Sequence, residues 1–340
     1  MSMERRPIFF ERNRVGRVYS GGKLFADFFG DEAEDGFCPE EWIASSVTAL
    51  NRDVRFQKEG VSKIKGTNTY FDELLKEQPE EMLGSKRRMR ILVKVLDSAV
   101  RLPAQAHPDK VFSRKHFGSE YGKTECWLVL GTRPEAKIYF GFQKGVDREI
   151  FSSVIDRSEY DKNAMEGILC SFEPKQNETY FVPARTVHAI GAGCLILEIQ
   201  EPTDFTIQPE CWCADYRLND KEMYLGLSKE TAMDCFDFGD APKARLTPKI
   251  LTEDPTMRIE GIVTTEDTDC FVVNRITLKN GTYSPFVEDS YGVYVVTDGE
   301  GELRGKDYVR KISKGEYFFM PAASMGRYEI CGDIQIVECY

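Results

Sequence analysis

Histidine is nearly missing from this chain. Its 340 residues include only His107, His116 and His188, so any site built from imidazoles can be placed at once. Long apolar runs are absent too. No stretch of about 18 apolar residues occurs, which excludes a membrane-spanning helix, and Met1-Ser2-Met3-Glu4-Arg5-Arg6 leads into no apolar signal core. There is no C-x-x-C pair, although there are ten cysteines. Most sit singly in apolar runs, as Cys170, Cys194, Cys270, Cys331 and Cys339 do, and read as reduced core residues of a cytoplasmic protein. The one close pair, Cys211-Trp212-Cys213, lacks the second pair that a zinc-binding cysteine set requires. Positive charge is in deficit: the net charge is −11 and the isoelectric point is near 5.1. That excludes nucleic acid as a partner, because phosphate binding needs a basic face. An anionic substrate would have to be held by a local cluster of cations against the global field.

What is present is a large apolar fraction, 41%, with 12% aromatic residues, enough for a sizeable core. Short runs rich in Val, Ile, Phe and Tyr recur between Gly, Pro and Asp turns. They include Arg90–Leu96, Thr179–Val182, Cys194–Ile199, Phe271–Ile276, Tyr291–Val296, Tyr317–Met320 and Ile334–Val337. Many short strands with regular turn signals predict a mainly β fold of the jelly-roll kind. Helical periodicity is confined to a few insertions: Phe71–Met82, split at Pro79; one or two helices within Gln143–Ile168; and Lys221–Phe236, broken at Gly226 with Ser228 as a cap. Gly, Pro and charge accumulate over Asp237–Pro248, which reads as a linker between residues 1–240 and a C-terminal β region, 241–340, that contains no histidine.

Two of the three histidines fall in suggestive segments. Gln105 and His107 are two apart, a spacing that puts both side chains on one face of an extended strand. Glu125 opens a strand and His188 ends another. In a small barrel, inward-facing residues of neighbouring strands converge on the axis. An amide oxygen, two imidazoles and a carboxylate suit Zn²⁺ or another divalent ion. Against this, a single histidine on an apolar strand is ordinarily a hydrogen-bonded core residue, so the segments have to be taken together.

Taken together, Gln105-Ala106-His107-Pro108-Asp109, Lys123-Thr124-Glu125-Cys126-Trp127, Pro183-Ala184-Arg185-Thr186-Val187-His188-Ala189-Ile190-Gly191-Ala192-Gly193 and Leu197-Glu198-Ile199-Gln200 resemble the type I mannose-6-phosphate isomerases. The corresponding family segments run QxHP-D, KTE-CW and PAGTVHAIGAG-EIQ. Glu41-Trp42-Ile43-Ala44-Ser45-Ser46 is similar to an early E-x-W-x-x-S segment. The likeness runs over about residues 15–205, and the C-terminal region is similar to the family's second barrel. The resemblance implies a double cupin fold with the metal in the first barrel, and Gln105, His107, Glu125 and His188 as ligands of Zn²⁺. It implies interconversion of an aldose phosphate and its ketose, of the mannose 6-phosphate and fructose 6-phosphate type; the sequence leaves monomer and homodimer both open. His116 falls outside these motifs and Asp109 is expected to shape the turn after Pro108.

Such an isomerisation moves a proton between carbons 1 and 2 through a cis-enediol, which needs a base and something positive beside the developing oxyanion. Glu198 is the candidate base, or else a hydrogen-bond partner that orients a metal ligand. Lys94, inside Val93-Lys94-Val95, and Lys123 either contact substrate oxygens or turn to solvent. The chain departs from the family at two places. Gln208 stands where an arginine follows the EIQ strand, and Arg185 replaces the glycine of PAGTVH. Arg185 or Arg217 could restore the lost charge. Otherwise the substrate is a different or non-phosphorylated sugar, and turnover of mannose 6-phosphate would be low. A sugar-binding cupin without catalysis and an iron cupin held by His107, Glu125 and His188 are the readings outside the isomerase class.

Overall fold

The computed structural model describes residues 6–53 and 55–340; the opening residues 1–5, assessed above for a signal core, lie outside them. Seven antiparallel strands form the sheet that carries most of the candidate site. Their order is Arg245–Leu246, Thr179–Val182, Glu125–Thr132, Cys194–Gln200, Leu92–Ser98, Glu40–Ile43 and Arg14–Val15. The two central strands, Cys194–Gln200 and Leu92–Ser98, are buried along their whole length. This is why they read as near-continuous apolar runs rather than as an alternation.

Alternation still sorts their side chains between two cores. Val93, Val95, Leu128, Leu197 and Ile199 face the C-terminal sheet and share a core with Val273, Val293, Val295, Phe319 and Val337. Leu96, Trp127, Val129, Tyr180 and Ile196 face the other way, against Ile138, Phe140 and Ile190. Those last three belong to a small sheet of Leu169–Phe172, Ile138–Phe142 and His188–Ile190. Trp127 and Tyr180 are fully buried, and burying a large apolar side chain stabilises by about 1.5–3 kcal/mol. Lys94, Glu125 and Glu198 point into this second interior by the same alternation.

The C-terminal sheet has the order Ile8–Phe9, Tyr317–Met320, Gly292–Gly305, Tyr328–Cys339, Val273–Tyr283, Met257–Val263 and Lys249–Glu253, with Tyr308–Ser313 beside Gly292–Gly305. Strands are exchanged across the expected linker. Ile8 and Phe9, from the start of the chain, pair with Phe319 and Phe318. Arg245 and Leu246, inside the linker segment, pair with Tyr180 and Thr179. Apolar burial explains both: Ile8 and Leu246 pack on the core shared by the two sheets.

The helical insertions follow the chemistry of their ends. Phe71–Glu77 is followed at once by Pro79–Leu83, with Pro79 at its first position. Arg148–Arg157 and a short 3₁₀ turn at Ala164–Ile168 occupy the second insertion, Gln143–Ile168. Asp220–Tyr224 and Lys229–Met233 are separated at Gly226, and Ser228 accepts from the Thr231 amide. A helix over Lys110–Phe117, not anticipated from periodicity, is capped by Asp109, which accepts from the Phe112 amide at 2.7 Å. Among the described residues no helix is long and apolar enough to cross a membrane.

Candidate active site

The segment Gln105-Ala106-His107 is held extended by partners on both sides. Gln105 and His188 exchange two backbone hydrogen bonds of 2.9 Å, and Ala106 and Ile207 exchange two of 2.9 and 3.0 Å. With Ala106 clamped this way, Gln105 and His107 fall on one face, and His188 is brought alongside by the same pairing. Glu125 lies at the start of its strand, opposite Gln200 on one side and Val182 on the other.

His107, Glu125 and His188 converge. The two imidazole Nε2 atoms are 3.1 Å apart, and they lie 3.2 and 3.3 Å from the two Glu125 carboxylate oxygens. All three residues are buried, and theirs is the one cluster of this kind among the described residues. Each ring is turned by its other nitrogen. His107 Nδ1 faces the Phe205 carbonyl at 2.9 Å, and His188 Nδ1 faces the Thr186 carbonyl at 2.8 Å. A carbonyl only accepts, so each Nδ1 carries the proton and each Nε2 presents a lone pair to the centre. Burial also keeps both rings neutral, pushing His188 down to about 3 and lowering His107. Burial opposes ionisation of Glu125, but the Lys123 ammonium at 2.6 Å outweighs it, and the carboxyl is held well below the usual range.

Two lone pairs and a carboxylate facing one point at these distances need a cation between them. Lys123 shows the demand directly: its ammonium lies 2.7 Å from His107 Nε2 and 2.6 Å from Glu125 Oε2. The donor set fits a divalent ion of the zinc type, and Gln105 borders the same space.

A cavity of about 440 Å³ opens in front of this cluster, within the range usual for small-molecule sites. Gln105, Lys123, Glu125, Lys94 and Glu198 line its deep end. Glu198 Oε1 is 3.2 Å from the Lys94 ammonium and 3.7 Å from that of Lys123. Burial dominates Glu198 and pushes its carboxyl up to about 7 despite both lysines. Lys94 also lies 3.6 Å from Glu40. Burial disfavours its charge, but Glu198 and Glu40 outweigh that and raise it above an ordinary lysine.

Three residues named from sequence sit elsewhere or act differently. Arg185 is not among the cavity-lining residues; it is half-exposed, with its guanidinium 3.5 Å from Asp109. Its φ of +72° marks the left-handed turn that a glycine favours. Arg217 is exposed, paired with Glu159 and set beside the Trp212 ring. Gln208 does line the cavity, but its amide is directed to the Glu222 carbonyl at 3.1 Å. His116 lies outside the cluster, its ring 4.4 Å from that of Phe112. The thiols of Cys211 and Cys213 face separate carbonyls, of Ile155 and Arg101.

The cavity also holds Arg17, Tyr19, Glu40, Arg52 and Lys221, none of which was anticipated. Arg17 is nearly buried and pairs with Glu40 and Asp204 at 2.8 and 2.9 Å. Arg52 and Lys221 line the cavity where it is exposed to solvent, and Tyr19 donates to Glu40 at 2.6 Å. Glu40 shared a signal with Trp42, since a spacing of two on a strand puts both on one face, where the Trp42 indole donates to Glu40. Arg52 and Lys221 had none, because both lie in irregular or short helical segments far apart in the chain.

No family model matches the chain. Curated relatives do. It is 28% identical to the mannose-6-phosphate isomerase ManA of Bacillus subtilis over 248 residues, 72% of this chain and 73% of that one. It is 27% identical to the mannose-6-phosphate isomerase of Streptococcus mutans over 338 residues, 98% of each chain. The chain is a homologue of mannose-6-phosphate isomerases. Its fold agrees with the crystal structure of the mannose 6-phosphate isomerase from Bacillus subtilis, with a TM-score of 0.78 at 23% identity over 98% of this chain and 99% of that one. This agrees with the mainly β architecture expected from the strand pattern and with the cupin-like fold implied by the motif resemblance.

Proposed function

We propose that this chain is a metal-dependent aldose–ketose isomerase acting on a sugar phosphate of the mannose 6-phosphate type. The observation that carries the reading is the convergence of His107, Glu125 and His188 at the end of a cavity that also holds Glu198, Lys94 and Lys123, in a homologue of mannose-6-phosphate isomerases.

His107, His188, Glu125 and Gln105 would hold the ion, for which zinc suits the mixed nitrogen and oxygen donors. When bound, it supplies positive charge for the sugar's carbonyl and hydroxyl oxygens. The remaining steps fall to side chains. Glu198, with a carboxyl poised near 7, takes the carbon-bound proton from one carbon and returns it to the next. A base is most effective when its pKa lies near the working pH. The Lys94 and Lys123 ammonium groups flank Glu198 and donate to the enediol oxygens, stabilising charge at a buried end of the cavity. We place the enzyme in the cytoplasm, in keeping with its ten free cysteines.

The test is NMR in D₂O with zinc-loaded protein and mannose 6-phosphate. Fructose 6-phosphate should form, with deuterium entering at carbon 1 or carbon 2. Conversion without exchange would remove Glu198 as a solvent-exchanging base. Absence of both across hexose phosphates would overturn the isomerase reading.

A further inference from the structure

Five cations line the cavity: Arg17, Arg52, Lys94, Lys123 and Lys221. Three are already neutralised. Arg17 pairs with Glu40 and Asp204, Lys94 with Glu198 and Glu40, and Lys123 with Glu125 and Glu198. The deep end therefore offers a phosphate almost no unspent charge. Arg52 and Lys221 differ. Among the described residues neither forms an ion pair, and both are solvent-exposed at the mouth.

The mouth is nonetheless an ordered structure. Arg52 Nη1 meets the Tyr216 hydroxyl at 3.3 Å, and that hydroxyl donates to Glu222 Oε1 at 2.7 Å. The Glu222 carboxylate is otherwise engaged by the Asn219 amide at 2.9 Å, so its charge is partly satisfied before any ligand arrives. The helix carrying Lys221 is pinned by Gln208, whose backbone amide donates to Met223 at 2.9 Å and whose side-chain amide donates to the Glu222 carbonyl at 3.1 Å. At this position a neutral side chain fixes the neighbouring helix rather than projecting a charge of its own.

We propose that Lys221 and Arg52 form the anion subsite of the cavity, with Gln208 as a positioning residue that holds Lys221 in place. The ligand class is a phosphomonoester borne on a small polyol, its phosphate at the mouth and its reacting end toward His107, Glu125 and His188. The orientation rests on the function proposed above; the anion subsite stands without it. Two flexible cations against a dianion give charge-assisted contacts, each of which is about a tenfold effect on affinity.

Calorimetric titration of the zinc-loaded full chain with mannose 6-phosphate and with mannose tests this. The sugar phosphate should bind more tightly than the free sugar, and the difference should shrink with added salt. Lys221→Met and Arg52→Met should each weaken sugar-phosphate binding roughly tenfold and together roughly a hundredfold, while Lys221→Arg should retain most of it. Gln208→Ala should weaken binding less than Lys221→Met, with no further loss when the two are combined. Tight binding that never leads to turnover would remove the isomerase reading and leave the subsite standing. Binding unchanged in the double variant, or no preference of the unaltered protein for the phosphorylated sugar, would overturn the subsite.

Discussion

Lys94 and Glu198 face each other directly across two antiparallel strands, with the ammonium 3.2 Å from the carboxylate. Both are almost fully buried, and Glu40 lies on the far side of Lys94 at 3.6 Å. One lysine thus serves two carboxylates. Glu198 receives less than a full counter-charge, which leaves burial as the dominant influence on its proton.

Replacing Glu198 by glutamine keeps the shape and removes the base. The expected loss in kcat is about 10²- to 10⁴-fold, the usual contribution of general acid–base catalysis. Bound zinc should stay at one ion per chain, since Glu198 is not in the ligand cluster. If the variant instead lost zinc and activity in parallel, Glu198 would be a support for the ligands rather than the base.

The pH dependence follows from the same pair. Catalysis by Glu198 needs the ionised form, and its carboxyl sits near 7, so kcat/KM should fall as the pH drops below about 7. Lys94 lowers that value, and Lys94→Met should therefore move the acid limb upward. The stability sign is opposite. A carboxyl raised from 4.5 to about 7 on folding binds its proton more tightly in the native state, so its contribution to stability is lost as pH rises through that window. An acid limb that stayed in place in Lys94→Met would assign it to another group.

Much of this was legible in the sequence, for identifiable reasons. Val93, Val95, Leu197 and Ile199 had to be strand residues, and alternation then sent Lys94 and Glu198 to the opposite face. Gln105 and His107 were two apart, and Ala106 between them is clamped from both sides. Charge partners were not legible. Nothing local ties Arg17 to Asp204, or Arg52 to Tyr216, because those pairs are made by tertiary closure. Arg185 misled for the converse reason. Nearness to His188 in sequence suggested the cavity, whereas a left-handed turn aims it at Asp109. Leu246 was hidden in a polar, Pro-containing segment and yet completes the first sheet.

The shared core predicts joint unfolding. Phe319 is fully buried, pairs with Ile8 and stacks near Phe71 and Tyr291, with ring centroids at 4.9 and 5.4 Å. Tyr317, two residues before it, donates to Glu41 of the first sheet. Phe319→Ala should cost about 3–5 kcal/mol and lower a single calorimetric transition. Two resolved transitions, only one of them shifted, would show that the halves unfold independently.

Metal binding should be visible without any assay of turnover. His188→Ala removes one of three converging donors, and with a ligand missing the ion should fall from one per chain to a small fraction by elemental analysis. His107→Ala should behave alike. Gln105→Ala, which leaves both imidazoles and Glu125 in place, should weaken affinity only about tenfold, the scale of a supporting contact. A bound ion stabilises the native state by mass action, about 2.7 kcal/mol at a hundredfold excess over Kd. Chelation of the unaltered protein should thus lower Tm by roughly 4 to 8 °C. The same chelator should leave the His188→Ala melting curve unmoved. A metal content or a chelator-induced shift that survived loss of His188 would place the ion elsewhere and dissolve the link between this cluster and the chemistry.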